Sequence, residues 1–345
     1  MQVGILTNLN SRKNRSQPER GERLQRVLGG DGLVRQTRRL GEIRPVLEEF
    51  VDRGVRYWVS DGGDGTLHWM LNEGREVLER RGLWQEGRLP LLVPTNGGTI
   101  DFVARKAGIT GQADVVIGAL LDGLRRGRDF PTVEMDSLEV LGHRPGDAPG
   151  RPSFRKIGFA VAVGGLGQRF FRLYYQERSP GPWAIIRVAL KGSAGYVASL
   201  PPLDRLPLVP GWLREYGRYL LSGTRARVVA DGRDYGDDLW QGLHAGAVNI
   251  DFGTVKLFSY AQQPGRLHLV VGAMKQLECT YKWVALVLGV PVPGKRWHEF
   301  PGRWMEIEER GEPLAPIIDG EVFEGFDWLR VQLGPRVKVP LVVRH

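Results

Sequence analysis

The stretch SDGGDGTLHWMLNEG, residues 60–74, constrains this chain more than any other, together with the run VRYWV, residues 55–59, that leads into it. An apolar, β-branched run that halts at two glycines, an aspartate and a third glycine, then resumes with helical spacing, reads as strand, tight loop and helix. Gly62, Gly63 and Gly65 let main-chain N–H groups approach a bound anion where a Cβ would stand in the way. The N-terminus of the following helix adds partial positive charge, so the loop is a candidate phosphate site. Asp64 repels phosphate, so its expected partner is a metal, a ribose hydroxyl or a donor within the loop. Thr66 is expected to cap the helix through its hydroxyl or to touch a phosphate oxygen. A glycine turn whose aspartate merely caps a helix is the plainer alternative, and spacing alone does not separate the two. The lysine of a Walker A loop is absent.

At 345 residues the chain has room for two domains and a substantial core. A net charge of +9 and a pI near 9.8 favour anionic partners: nucleotide, nucleic acid or an acidic membrane surface. The excess lies in scattered arginines, which reads as a solvated basic face rather than a nucleic-acid groove. The single cysteine, Cys279, excludes an intrachain disulfide and agrees with a reducing cytoplasm. The opening MQVGILTNLNSRKNR has too short an apolar run for a signal peptide and carries its basic residues after that run. No segment reaches the roughly 20 apolar residues of a membrane span. Residues 283–292 fall short, so any membrane contact is expected to be peripheral.

In chain order, residues 2–7 read as a strand and 8–16 as a polar loop with Arg12, Lys13 and Arg15. A helix over 18–28, a strand over 32–37 and a helix over 43–53 follow. Strand and helix in alternation predict a parallel, doubly wound sheet, whose ligands bind at the strands' carboxyl ends. Asn8, Thr37 and the glycine loop all fall at such ends. Residues 88–108, RLPLLVPTNGGTIDFVARKAG, form a second strand, glycine-containing loop and helix.

After residue 129 the texture changes to short β-like runs, over 132–140 and 154–163, around the Pro/Gly-rich tip 144–152. Residues 183–221 carry Trp183, Tyr196, Trp212, Tyr216 and Tyr219. Core packing is the default reading of such aromatics, and a lipid-facing cleft or interfacial belt is the alternative. From residue 224 short strands return at regular spacing and predict an antiparallel sandwich. Asp319-Gly320-Glu321 ends a late apolar run, and Asp-Gly by itself reads as a hairpin turn.

GGDGT followed by a helix resembles the signature of the diacylglycerol kinase, sphingosine kinase and NAD kinase superfamily, where this loop sits beside the nucleotide. Asn8 and Ser11 match that family's first loop, Asn-Pro-x-Ser-Gly, whose proline and glycine are missing here. Thr37 lies where the family often has a threonine. Gly98, Thr99, Ala104 and Arg105 match its second nucleotide motif, Gly-Thr-Gly-Asn-Asp-Phe-Ala-Arg, and residues 100–103 depart from it. Residues 164–175 and the later Gly195-Tyr196 pair resemble the family's helical insert. Where some members have an acidic residue associated with a structural magnesium, this chain has Pro264, so that metal site is not expected.

The resemblance covers nearly the whole chain and implies an α/β plus β fold. A doubly wound parallel sheet over residues 1–131 would bind nucleotide, an antiparallel sandwich over 132–328 would take the substrate, and residues 329–345 would return to the first domain. It implies an ATP-dependent kinase, with Mg²⁺ bridging the phosphates, that transfers the γ-phosphate to the hydroxyl of a lipid such as diacylglycerol or a sphingoid base. Nucleotide contacts fall to Asn8, Ser11, Thr37, Gly62, Gly63, Asp64, Gly65, Thr66, Gly98 and Thr99. A late Asp-Gly-Glu is the lipid-kinase hallmark, so Asp319 or Glu321 is expected to accept the hydroxyl proton, with Asp64 completing the catalytic set. The expected partners are a lipid substrate and an anionic membrane touched peripherally from the cytoplasm, with a homodimer compatible and nucleic acid not expected. NAD kinase and an inactive nucleotide-binding regulator are the rival functions.

Overall fold

The computed structural model describes residues 2–11, 13–85, 90–97, 101–109, 113–148, 152–177, 181–205, 209–252, 255–288 and 290–342. The chain divides into two compact units, residues 1–135 with 335–345, and residues 136–334.

Unit 1 alternates strand and helix: β1 (Val3–Asn8), α1 (Arg20–Leu28), β2 (Gly32–Thr37), α2 (Ile43–Asp52), β3 (Tyr57–Asp61), α3 (Asp64–Arg80), β4 (Leu91–Pro94), α4 (Phe102–Lys106) and α5 (Ala113–Arg125). The strands form one parallel sheet in the order β2-β1-β3-β4. Val3, Ile5 and Leu6 of β1 and Trp58 and Val59 of β3 are buried, as expected of parallel strands covered by helices. Leu24 and Leu28 of α1, Leu47 and Phe50 of α2, and Met70 and Leu71 of α3 supply the apolar helix faces, each fully buried side chain contributing roughly 1.5–3 kcal/mol. Phe50 and Trp58 meet edge to face at 5.9 Å. The third strand runs two residues beyond the expected 55–59, because Ser60 and Asp61 still pair with Leu6 and Thr7 of β1. A further strand, β5 (Thr132–Met135), belongs to this unit, since it pairs antiparallel with the last strand of the chain, residues 337–340.

Unit 2 is an antiparallel β-sandwich with a layer of helices. Its elements are β6 (Leu138–His143), β7 (Phe154–Gly158), β8 (Ala160–Gly164), α6 (Gly165–Gln176), α7 (Pro182–Val197), α8 (Gly211–Leu221), β9 (Thr224–Ala230), β10 (Arg233–Trp240), β11 (Gly242–Gly246), the small hairpin β12 (Ile250–Phe252) and β13 (Val255–Leu257), β14 (Leu267–Gly272) and α9 (Gln276–Val287). They continue with β15 (Trp297–Gly302), β16 (Trp304–Glu309), β17 (Ile317–Ile318), β18 (Glu321–Val322) and β19 (Trp328–Leu333), before the chain ends in unit 1 with β20 (Val337–Pro340). One sheet has the order β10-β9-β16-β19-β6-β7 and the other β15-β14-β11-β8-β17-β18. Alternate residues such as Val140, Val228, Ile307 and Val331 of the first sheet share one core cluster with Val161, Leu243, Leu269 and Ile318 of the second.

Three expected boundaries move. The run 132–140 breaks at Asp136 and Ser137 into β5 and β6, which belong to different units. The run 154–163 breaks at Phe159, where the chain leaves one sheet of the sandwich for the other. The return to the first unit starts at residue 335 rather than 329, because β19 bonds to β16 and β6 inside the sandwich. No helix among the described residues is long and apolar enough to cross a membrane.

Candidate active site

At the carboxyl ends of β1, β3 and β4 the loops of unit 1 are tied together residue by residue. Asp61, fully buried, receives two hydrogen bonds from the Arg20 guanidinium at 2.7 Å and one from the Thr95 hydroxyl at 3.2 Å. Asn14 donates through Nδ2 to the carbonyls of Asn8 and Asp61, each at 3.0 Å. Asn8 donates in turn to the Thr66 hydroxyl at 2.9 Å, joining the end of β1 to the first turn of α3. Thr66 therefore does not cap the helix; Gly63 occupies the N-cap position, and the Thr66 oxygen serves the inter-element link instead.

The glycines work by close approach. A Cβ on Gly62 would meet the Thr66 hydroxyl at 2.2 Å, and one on Gly97 would meet the Gly62 carbonyl oxygen at 2.6 Å. The two loops can touch because Gly97 lacks a side chain, while the bare Gly62 makes room for Thr66 of its own following helix, and the loop contact is sealed by the Gly97 N–H donating to the Gly62 carbonyl at 3.0 Å. Beside this contact lies a shallow recess lined by Ser60, Gly62, Gly63, Asp64, Thr95 and Asp101, with apolar walls from Leu67, Pro94 and Ala104.

Several features of the recess ask for a ligand or water. The Ser60 hydroxyl, on its wall, is buried without a hydrogen-bond partner, as are the Thr7 hydroxyl and the Asn14 Oδ1 nearby on β1 and its following loop. Buried polar atoms of this kind are ordinarily satisfied. The 17-residue α3 opens onto the recess with Gly63 and Asp64, so the positive end of its dipole favours an anion there. Asp101 adopts a left-handed conformation at φ 52°, and its carboxylate stands 3.9 Å from the Lys13 ammonium. Lys13 also donates through Nζ to the Asn96 carbonyl.

The remaining expected nucleotide residues divide. Ser11 spends its hydroxyl on the Asn8 carbonyl at 2.9 Å, and Asn8 Oδ1 accepts the Asn10 N–H, so both shape the first loop. Thr37 is buried opposite Asn8 in the parallel register, and its carbonyl accepts the Leu9 N–H. Gly65 lies within the first turn of α3. Gly98 and Thr99 lie outside the described residues, as does Arg12. Asp61 and Arg20 were missed; an arginine on the buried stripe of an amphipathic helix, at Leu24 minus four, was the available sign that a buried acid must exist.

In unit 2, Asp319 and Gly320 form the two-residue turn between β17 and β18, with φ of 49° and 94° and with Ile318 opposite Glu321. Two successive positive φ values define the hairpin turn that Asp-Gly favours. The turn does more than reverse the chain. Asp319 Oδ1 accepts the N–H groups of Phe159 and Ala160, both at 2.9 Å, where the chain passes from β7 to β8. Glu321 sits half-buried at the start of β18. Cys279 is buried, and that burial pushes its thiol up to about 12, which leaves it inert as a nucleophile.

For a divalent cation, Asp64 and Asp101 supply the hard oxygen donors that line the recess. No group of three or more His, Cys, Asp or Glu side chains suited to a metal occurs among the described residues. Two carboxylates fit Mg²⁺ in particular, because that ion keeps several waters and takes substrate phosphates as further ligands.

No protein-family model matches the sequence, and no curated protein matches it. Solved structures do. A diacylglycerol kinase from Bacillus anthracis str. Sterne superposes with a TM-score of 0.58 at 13% identity, covering 99% of this chain and 98% of that one. The yeast NADH kinase, solved with NADH, superposes with a TM-score of 0.51 at 10% identity, covering 99% of this chain and 83% of its own. The parallel sheet followed by the antiparallel sandwich is therefore the fold shared by the diacylglycerol kinase and NADH kinase structures.

Proposed function

We propose that the chain is an ATP-dependent kinase that phosphorylates the hydroxyl of a lipid. The observation that carries the reading is the touching pair of glycine loops, Gly62 against Gly97, beside the α3 N-terminus and the unsatisfied Ser60 hydroxyl. These are the properties a nucleotide's phosphate chain requires: main-chain donors, close approach and a hydroxyl with a vacant hydrogen bond. Mg²⁺, when bound, would be held by Asp64 and Asp101 and would neutralise charge on the phosphates.

In the transfer, the acceptor oxygen forms a bond to the γ-phosphorus as the bond from that phosphorus to the β,γ-bridging oxygen breaks, and ADP departs. The acceptor's proton passes to a carboxylate, for which Asp319 or Glu321 is the assigned group. The Phe159 and Ala160 N–H groups hold the Asp319 carboxylate in one orientation, which is what a base needs. A lipid acceptor, rather than a pyridine nucleotide, is supported by the Asp-Gly-Glu turn and by the apolar outer face of the unit 2 helices.

The test is incubation of the purified protein with labelled ATP, Mg²⁺ and a panel of diacylglycerol, sphingoid base, ceramide and polyprenol, with NAD and NADH in parallel. Phosphate should appear on a lipid, and Asp64→Ala should abolish the transfer while lowering stability by only about 0.3–1 kcal/mol, the worth of an acid in a helix's first turn. Phosphorylation of NAD or NADH alone would transfer the assignment to a pyridine-nucleotide kinase. ATP binding with no turnover on any acceptor would make the protein a nucleotide-binding regulator.

A further inference from the structure

The helices of unit 2 turn apolar stripes outward. On α7 the exposed positions are Trp183, Arg187, Leu190, Ala194 and Val197, at the i, i+4, i+7, i+11 and i+14 spacing of a single helix face, and only one of them is charged. On α9 and the residue after it, Leu277, Tyr281, Val284 and Leu288 repeat that spacing with no charge among them. Trp183 is 77% exposed and Leu288 65%, and α8 adds Trp212 at 60%.

These stripes are not the helices' core-facing sides, which are already used. Val188 of α7, Leu220 and Leu221 of α8 and Cys279 of α9 form a buried cluster of their own. Trp283 donates to the Ser193 hydroxyl and the Tyr196 hydroxyl donates to Gln276, both at 3.1 Å, locking α9 onto α7. Eleven of the nineteen exposed large apolar side chains among the described residues fall within residues 183–219 and 277–290, so the face is a concentration and not a scatter.

Charge decides what covers it. Residues 181–221 and 275–296 carry nine lysines and arginines against three acids, a balance of +6 in a chain whose total is +9. A second copy docked face to face would set like charge against like. An anionic bilayer accepts both components: tryptophan, tyrosine and leucine enter the headgroup and acyl boundary while Arg187, Arg218 and Lys275, all exposed, meet the headgroups.

We infer that the outer face of α7, α8 and α9 is the surface by which this protein docks peripherally on anionic lipid bilayers. Its purpose rests on the lipid-acceptor reading, but its test does not. The full chain is mixed with phosphatidylcholine vesicles with and without phosphatidylglycerol, and binding is read by flotation and by tryptophan fluorescence. The parent should bind the anionic vesicles, with a blue-shifted emission, and release as salt rises. Leu190→Glu combined with Tyr281→Glu, both outward-facing, should keep the parent's melting temperature and lose binding by about tenfold or more. Arg187→Glu combined with Lys275→Glu should remove the preference for anionic lipid.

Binding that ignores lipid charge, or that survives the stripe variant, overturns the inference. A dimer in analytical ultracentrifugation that the stripe variant dissolves, from a protein that never binds vesicles, assigns the face to a second copy and overturns it also. Failure of the kinase reading looks different: a protein that binds vesicles and transfers no phosphate.

Discussion

Arg20 grips Asp61 through two parallel hydrogen bonds of 2.7 Å, Nε to Oδ2 and Nη2 to Oδ1, with the arginine side chain 7% exposed and the aspartate fully buried. The pair ties α1 to the last residue of β3, immediately before Gly62. Burial opposes the charge on Arg20, yet the hydrogen bonds and charge of Asp61 outweigh it and hold the guanidinium above its ordinary value. The pair thus anchors the strand whose end carries the candidate phosphate loop.

Arg20→Met should show what that anchor is worth. It leaves a buried carboxylate without its cation, and breaking such a pair from one side costs about 3–5 kcal/mol. Urea unfolding should report a loss of that order, and combining it with Asp61→Leu should recover part of it, because the double variant strands no charge. A loss under about 1 kcal/mol for Arg20→Met would mean that water reaches the pair.

The Gly62–Gly97 contact makes a prediction of its own. Gly97→Ala places a methyl 2.6 Å from a backbone oxygen, which cannot rotate away, so the loops must part. Overpacking of this kind costs about 1–3 kcal/mol. Calorimetry should find ATP affinity reduced along with the melting temperature. Unchanged affinity would show that the second loop takes no part in the nucleotide site.

Much of this site could be read from the residues alone, and the reasons it was incomplete are local. Strand, loop and helix at residues 55–74 were legible because glycine, β-branched and helical spacings change abruptly there. Asp61 was not, since SDGG reads as loop; only the pairing of Ser60 and Asp61 with β1 extends the strand. Phe159 hides a change of sheet, because residues 154–163 continue to be apolar across it. The Asp-Gly turn was legible as a turn, and its hydrogen bonds to Phe159 and Ala160 were not, because 159 residues separate Asp319 from Ala160.

His268 gives the sandwich a pH dependence. It is 3% exposed, and its Nδ1 accepts the Tyr260 N–H at 3.2 Å, so a second proton would break that bond even though Glu299 stands 3.7 Å from Nε2. Burial, with repulsion from His244, lowers His268 to about 4. The unfolded chain therefore takes up the proton first as pH falls from about 6.5 to about 4. Stability is full above pH 6.5 and declines through that window by up to about 1.4 kcal/mol per pH unit for this ring. His268→Gln should flatten the urea midpoint's dependence on pH between 6.5 and 4; an unaltered slope would place the acid sensitivity elsewhere.

Asp319 offers the sharpest separation of structure from chemistry. Its Oδ1 holds two backbone N–H groups, so Asp319→Ala strands both donors and should cost about 1–3 kcal/mol for each left buried and unsatisfied. Asp319→Asn keeps an Oδ1 that accepts from the same groups and should fold with nearly the parent's stability. It removes only the capacity to take a proton. If Asp319 is the base, Asp319→Asn should bind ATP like the parent and lose lipid phosphorylation by about 10²- to 10⁴-fold, while Glu321→Gln loses less. Should Asp319→Asn transfer phosphate at the parent's rate while Asp319→Ala merely unfolds sooner, Asp319 is a hinge between β7, β8 and the β17–β18 turn, and Glu321 becomes the group to test as base.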